Sequence, residues 1–198
     1  MSTEPYAEAG AQLRALVDEA TRRDVSEPVA AALATASVAG RPSVRMVSIA
    51  AIEDAGLLFF TDMRGGKGRQ IAENPDVALC FHWPELRQQV TVDGRAEILD
   101  ESESDRHWAR RPRDFQLAAW VTEAPDAPDE DAGPNDLVRE VRRRFEQATV
   151  PRPSHWHAVR LHPTELRFWK PGWRNLHARV CYVRDEHGAW HREIARPF

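Results

Sequence analysis

Cysteine is nearly absent from this chain. There are two in 198 residues, Cys80 and Cys181, each inside an apolar run and neither at a metal-ligand spacing. That excludes a disulfide framework and leaves two buried free thiols as the expectation. No window approaches the roughly 18 apolar residues of a membrane span. The opening "MSTEPYAEAG" lacks the basic and apolar regions of a secretory leader, so a reducing cytoplasm is the expected home. Positive charge is not in excess either: 27 Lys and Arg face 31 Asp and Glu, a net charge of −4, which argues against non-specific nucleic-acid binding. There is no HExxH, CxxC or GxSxG, and "RGGKG" at 64–68 is not a Walker A loop. His155 and His157 share a strand face but have no third ligand in view, and no metal is expected.

What the chain does have is a charged fraction of 29% with a mean hydropathy of −0.57, and enough residues for one well-filled domain over 1–198. Leu13, Leu16, Val17 and Ala20 recur at helical spacing and predict a helix over about 6–23, within an N-terminal arm of residues 1–26. Extended runs follow: "EPVAAALATASV", then "SVRMVSIAAI" after a turn at "AGRP", then "LLFFTD". "MRGGKGRQIAENP" is a glycine loop entering a short helix that stops before Pro75. "VALCFHW" and "QQVTVDGRAEIL" add strands, and "DG" at 93–94 is either a hairpin turn or a glycine within one bent strand. "DESESDRHWARR" and the stretch around Leu137, Val141 and Phe145 are helical. Between them, residues 122–135 are acidic, proline-rich and almost without large apolar side chains, the pattern of a mobile loop. Four further strands close the chain: "HWHAVRLH", "TELRFWK", "LHARVCYVRD" and "AWHREIA". Strands at both ends without β-α alternation predict an antiparallel sheet or barrel with flanking helices, not a Rossmann sheet.

Arg45 stands mid-strand on the same face as Val47 and Ile49, an odd place for a permanent cation. Either a salt bridge or strand edge accommodates it, or it is a fixed anion ligand. The glycine loop one strand later offers backbone N–H groups, a helix start and Lys67, with Thr61 in between, so the two features together suggest a phosphate pocket. A nucleotide-like cofactor also needs a flat partner and amide hydrogen bonds. Gln88, Gln89 and Trp169 offer these, though exposed glutamines and a boundary tryptophan are ordinary too.

The order of the blocks "RPSVRMVSI", "LLFFTD" with "GGKGRQIAENP", "RQQVTVDGRAEIL", "RRPRDFQLAAWV", "VPRPSHW" and "LRFWKPGWRNLHAR" resembles the pyridoxamine 5′-phosphate oxidase family from about residue 27 onward. The resemblance implies an FMN-binding, antiparallel split β-barrel working as a homodimer, with two flavins at the subunit interface. It assigns Arg45 and Lys67, with Thr61 beside them, to the FMN phosphate. It lays Met46, Val47 and Ser48 along the flavin, puts Phe60 where tyrosine is usual, and gives Gln89 an FMN hydrogen bond. Trp169 and Arg179 match flavin contacts made from the facing subunit, and His177 matches a substrate-facing histidine with a role in contact or proton transfer, or in orientation alone.

The departures concern the substrate. Arg167, Asn175 and Ala178 replace an acid, an arginine and an acid of the family signature. The lysine, tyrosine, arginine and serine that grip the vitamin's phosphate correspond to Ala50, His107, Arg111 and Phe115. Only the arginine is kept. Another branch, oxidising reduced tricyclic intermediates of phenazine biosynthesis, also lacks that lysine and has segments resembling "ALATA" and "GRPS". The favoured expectation is an FMN-dependent oxidase of a reduced nitrogen heterocycle of that type, with O2 as acceptor. His107, Arg111, Phe115, Asn175 and His177 would then face the substrate, with Arg111 or His107 pairing with a carboxylate. The alternatives are a pyridoxine 5′-phosphate oxidase with a rearranged grip, and a non-catalytic flavin, deazaflavin or haem-binding split barrel.

Overall fold

The computed structural model describes residues 4–121, 134–170 and 178–195. They fall into two compact units, Met1–Ile98 with Val159–Phe198, and Leu99–Ala158. The acidic stretch expected to be mobile lies almost wholly outside the described residues, as do Asn175 and His177.

In the first unit, α1 (Glu4–Arg22) buries Ala9, Leu13 and Ala20 along one stripe, as the helical spacing requires. Strands β1 (Ala30–Ala36), β2 (Pro42–Glu53), β3 (Gly56–Asp62), β4 (Asp76–Trp83), β5 (Gln88–Ile98) and β6 (Trp156–Lys170) pair antiparallel in the order β3-β2-β1-β4-β5-β6, and β3 pairs again with β6 to close a six-stranded barrel. Its inner face alternates as a period of two demands: Ala31, Leu33, Leu79, Phe81, Val90, Val92, Leu166 and Phe168 are all buried. At the closing seam β3 is buried on both faces. The helix α2 (Gly66–Glu73) follows β3, while β7 (Ala178–Arg184) and β8 (Trp190–Ala195) continue the sheet beyond β6. On that extension Phe168 meets Tyr182 edge-on and Tyr6 of α1 stacks on Trp190.

Two expectations need correction. "HWHAVRLH" and "TELRFWK" are not two strands but the single strand β6, with Pro163 inside it. Proline has no N–H to give a ladder, and here it sits opposite Gly94, where the β5–β6 register shifts. The same bulge shows that "DG" is a bend within β5 and not a hairpin. A Cβ on Gly94 would lie 2.2 Å from the His162 carbonyl oxygen, a backbone atom that cannot yield without breaking the bulge. Gly94→Ala is therefore expected to lower unfolding free energy by about 3 kcal/mol, measured by denaturant titration. A loss under about 1 kcal/mol would show that the strand absorbs the methyl group. The cysteines are free but half-buried, not buried; Cys80 shares a face with its neighbours Ala32 and Thr91 on the outside of the sheet.

The second unit contains α3 (Glu101–Trp108), α4 (Arg113–Val121) and α5 (Pro134–Arg144). Asp100 caps α3 by accepting from Glu103 N–H at 2.7 Å. Trp108 and Trp120 donate their indole N–H groups to the carbonyls of Val150 and Pro151, at 2.8 and 2.7 Å. Gln116 is buried because its amide donates to Trp108 O at 2.7 Å.

Candidate cofactor site

The residues expected to hold a cofactor all lie in the first unit, in two groups. The first gathers around Arg45 on β2. Its side chain leaves the strand on the barrel's inner side, paired with Leu33 of β1. Nη1 donates to Thr35 Oγ1 at 2.7 Å and to Leu33 O at 3.3 Å, and Nη2 reaches Gln70 Oε1 at 3.5 Å. Every one of these acceptors is neutral. Among the described residues no carboxylate pairs with Arg45, so the salt-bridge explanation of this cation does not apply.

Lys67 stands in the first turn of α2. Burial pushes its ammonium below the usual lysine range; repulsion from Arg45 pushes the same way, and the attraction of Asp62 does not reverse it. That carboxylate is engaged elsewhere: Asp62 accepts from Arg64 N–H at 2.8 Å and from the Arg64 guanidinium at 2.9 Å. The N-terminus of α2 adds to the positive field. Its cap is Gly65, no side chain bonds to the free N–H groups, and no acid occupies the first turn. A Cβ on Gly66 would meet nothing within 4 Å, whereas one on Gly68 would lie 2.5 Å from Met63 Cα. The turn is thus packed tight on its inner side and open on its outer side. Two cations that repel each other beside an open helix start have the charge and the free N–H groups to hold an anion such as a phosphate monoester.

The other expected residues of this group contribute unequally. Met46 is 61% exposed, and Ser48 is half-buried on the same outward side of β2. Val47, Phe60 and Thr61 are buried, the Thr61 hydroxyl donating to Asp62 O at 3.4 Å. The Val47 side chain belongs to the core, so a ligand there meets its backbone.

The second group is a row across three strands, Gln89 of β5 opposite Trp169 of β6 and Trp169 opposite Arg179 of β7. With Thr91, Arg167 and Phe168 they line a cavity of about 380 Å³. Arg167, which stands where the family has an acid, is locally balanced by Asp93 at 2.7 Å and Glu165 at 2.6 Å. Val90 and Phe168 point inward, so Gln89 and Trp169 point out. Arg45 and Gln89 therefore project from opposite faces of the sheet, with β1 and β4 between their strands.

The residues matched to the vitamin's phosphate grip stand in different surroundings. Ala50 is the extra residue of a β2 bulge, since Ile49 opposes Phe59 while Ala51 opposes Leu58. It lines a 250 Å³ cavity whose walls include Val17, Val29, Ile52 and Phe81. In the second unit the Arg111 guanidinium lies 5.5, 5.4 and 5.6 Å from the ring centroids of Trp108, Phe115 and Trp156. Burial lowers its pKa to about 10. His107 is half-buried on α3. Thr35 and Gln70, which bind Arg45, were not legible beforehand: nothing in their sequence context departs from an ordinary strand or helix position.

Known proteins share this sequence pattern and this fold. The family model for pyridoxamine 5′-phosphate oxidase matches residues 17–170. A pyridoxine/pyridoxamine 5′-phosphate oxidase of Rubrobacter xylanophilus is 40% identical over 180 residues, covering 91% of this chain and 82% of the relative. Its counterpart in Burkholderia thailandensis is 40% identical over 178 residues, covering 90% and 83%. Among solved structures, PhzG of Burkholderia lata, crystallised with tetrahydrophenazine-1-carboxylic acid, superposes with a TM-score of 0.80 at 30% identity, covering 94% of this chain and 91% of that one. A Nostoc punctiforme FMN-binding protein related to pyridoxamine 5′-phosphate oxidase shares the fold, with a TM-score of 0.76 at 20% identity and full coverage of both chains. The paired cations, the open turn and the indole row fit the phosphate and ring of FMN, the cofactor of this fold. With a closed six-stranded barrel, that anion site and a family match over most of its length, the chain belongs to the pyridoxamine 5′-phosphate oxidase family.

Proposed function

We propose that this protein is an FMN-dependent oxidase that dehydrogenates a reduced, carboxylated nitrogen heterocycle of the phenazine-biosynthetic type, with O2 as final acceptor. Bound FMN supplies the two-electron acceptor for a hydride leaving a substrate carbon. The chain's own residues do the rest: Arg45 and Lys67 anchor the cofactor phosphate, and Trp169 covers the ring. The observation that carries the reading is the loss of a phosphate grip. Ala50 brings no charge to its cavity, whose walls are mostly apolar with Arg14 and Asp18 at their side, and Phe115 lies against Arg111 where the vitamin enzyme has a serine. A guanidinium among three rings can pair with a carboxylate while flat rings lie beside it, which suits a carboxylated aromatic. The resemblance to PhzG supports the same substrate class. His177 remains the candidate for substrate contact or proton transfer, on the resemblance alone.

Because Arg45 and Gln89 project from opposite faces of one sheet, the working form is a homodimer in which Gln89, Trp169 and Arg179 of one copy complete the site built on Arg45 and Lys67 of the other. The second reading is a pyridoxine 5′-phosphate oxidase, favoured by the names of relatives at 40% identity. Purified protein loaded with FMN is offered a dihydro- or tetrahydrophenazine carboxylate and, separately, pyridoxine 5′-phosphate, while peroxide is followed. Turnover of the tricycle is expected. Oxidation of the vitamin phosphate alone would transfer the chain to the second reading.

A further inference from the structure

Arg45 is held by groups that steer it without cancelling its charge. The Thr35 hydroxyl, 3% exposed, accepts from Arg45 at 2.7 Å and donates its one hydrogen to Gln70 Oε1 at 2.5 Å. A guanidinium can only donate, so the direction of every proton in this chain is fixed. Thr35 must pass its hydrogen onward, Gln70 must turn its oxygen toward Thr35, and its Nε2 is left to donate to Ser43 Oγ at 3.3 Å. The network ties three strand residues of β1 and β2 to the helix that also carries Lys67. Neutral partners matter here. A carboxylate at any of these places would grip the arginine more firmly and would also annul the positive field that an anion needs.

We propose that Thr35 and Gln70 are positioning residues for the cofactor phosphate: they aim the Arg45 guanidinium at it while leaving the charge uncompensated. The proposal rests on Arg45 being the phosphate ligand of FMN, and its test separates the two. Because riboflavin is FMN without the phosphate, the difference between the two affinities reports the phosphate contacts. Apo-protein is titrated with each, following flavin fluorescence quenching, for wild type, Thr35→Val, Thr35→Ser, Gln70→Glu and Arg45→Met.

Thr35→Val keeps the shape of the side chain and removes the relay. Gln70→Glu keeps an acceptor for Arg45 and Thr35, and Ser43 can turn its hydroxyl to donate to it, but it adds a negative charge. Both are expected to weaken FMN by about 10-fold to 100-fold while riboflavin changes by less than about 3-fold. Thr35→Ser should bind FMN as wild type does. A purely structural role predicts something else for Gln70→Glu: a new ion pair that leaves FMN affinity unchanged. Wild-type FMN affinity in both Thr35→Val and Gln70→Glu, or a parallel loss of riboflavin, overturns the proposal. If Arg45→Met also binds FMN undiminished, the assignment of the phosphate to Arg45 falls as well.

Discussion

Lys67→Met will bind FMN about 10-fold to 100-fold more weakly than wild type, yet its apo-form will melt at a higher temperature. The first half follows from losing one charge-assisted bond to phosphate. The second follows from the direction in which the fold pushes this ammonium. Burial and the neighbouring Arg45 both hold the Lys67 pKa below 10.5, so the charged form is worse off folded than unfolded. At neutral pH the apo-protein carries that penalty in full. As pH climbs through the folded pKa toward 10.5 the folded chain releases the proton first, the unfolded chain still holds it, and stability rises. The methionine variant lacks this alkaline gain because the penalty is already gone. Calorimetry of the apo-proteins across pH, together with flavin titration, checks both halves. A variant that melts lower and binds FMN equally well would mean that Lys67 serves the fold and not the cofactor.

Substrate selection should respond as strongly. Wild type is expected to oxidise pyridoxine 5′-phosphate with a kcat/KM at least about 100-fold below that for a reduced phenazine carboxylate, since the lysine and serine contacts alone, two of the three lost, are worth about 1.5–3 kcal/mol each. The double variant Ala50→Lys, Phe115→Ser restores those two groups. It should recover vitamin-phosphate oxidation by 10-fold or more and lose tricycle turnover, because the lysine fills the cavity beside Ile49 and Phe81 and the serine uncovers one face of Arg111. Steady-state rates on the two substrates decide. Efficient wild-type turnover at micromolar pyridoxine 5′-phosphate would reverse the order of the two readings.

Some of this site was legible in the amino-acid order because it violates a rule. A permanent charge at Arg45, on the inward side of an alternating strand, has no packing explanation, and a glycine-rich turn with Lys67 before a helix signals anion binding. The antiparallel sheet or barrel was legible from strands at both ends of the chain without regular β-α alternation. Residues that violate nothing stayed hidden. Thr35 is a suitable strand residue and Gln70 a suitable helix residue, so only their convergence on Arg45 reveals a task. The bulge at Ala50 depends on cross-strand register, which no local pattern encodes. Pro163 was misleading for a physical reason: it is a strand breaker unless a partner strand leaves space for it, and Gly94, far away in sequence, does so. The rings around Arg111 come from α3, from α4 and from the start of β6, an encounter set by tertiary packing.

The opposed placement of Gln89 and Arg45 has a thermodynamic corollary. If a chromophore is gripped from both sides by different copies, then colour and quaternary state are linked by mass action: flavin tightens the pairing of subunits, and pairing tightens flavin, by the same factor. Dilution would bleach such a protein, and excess cofactor would glue it together.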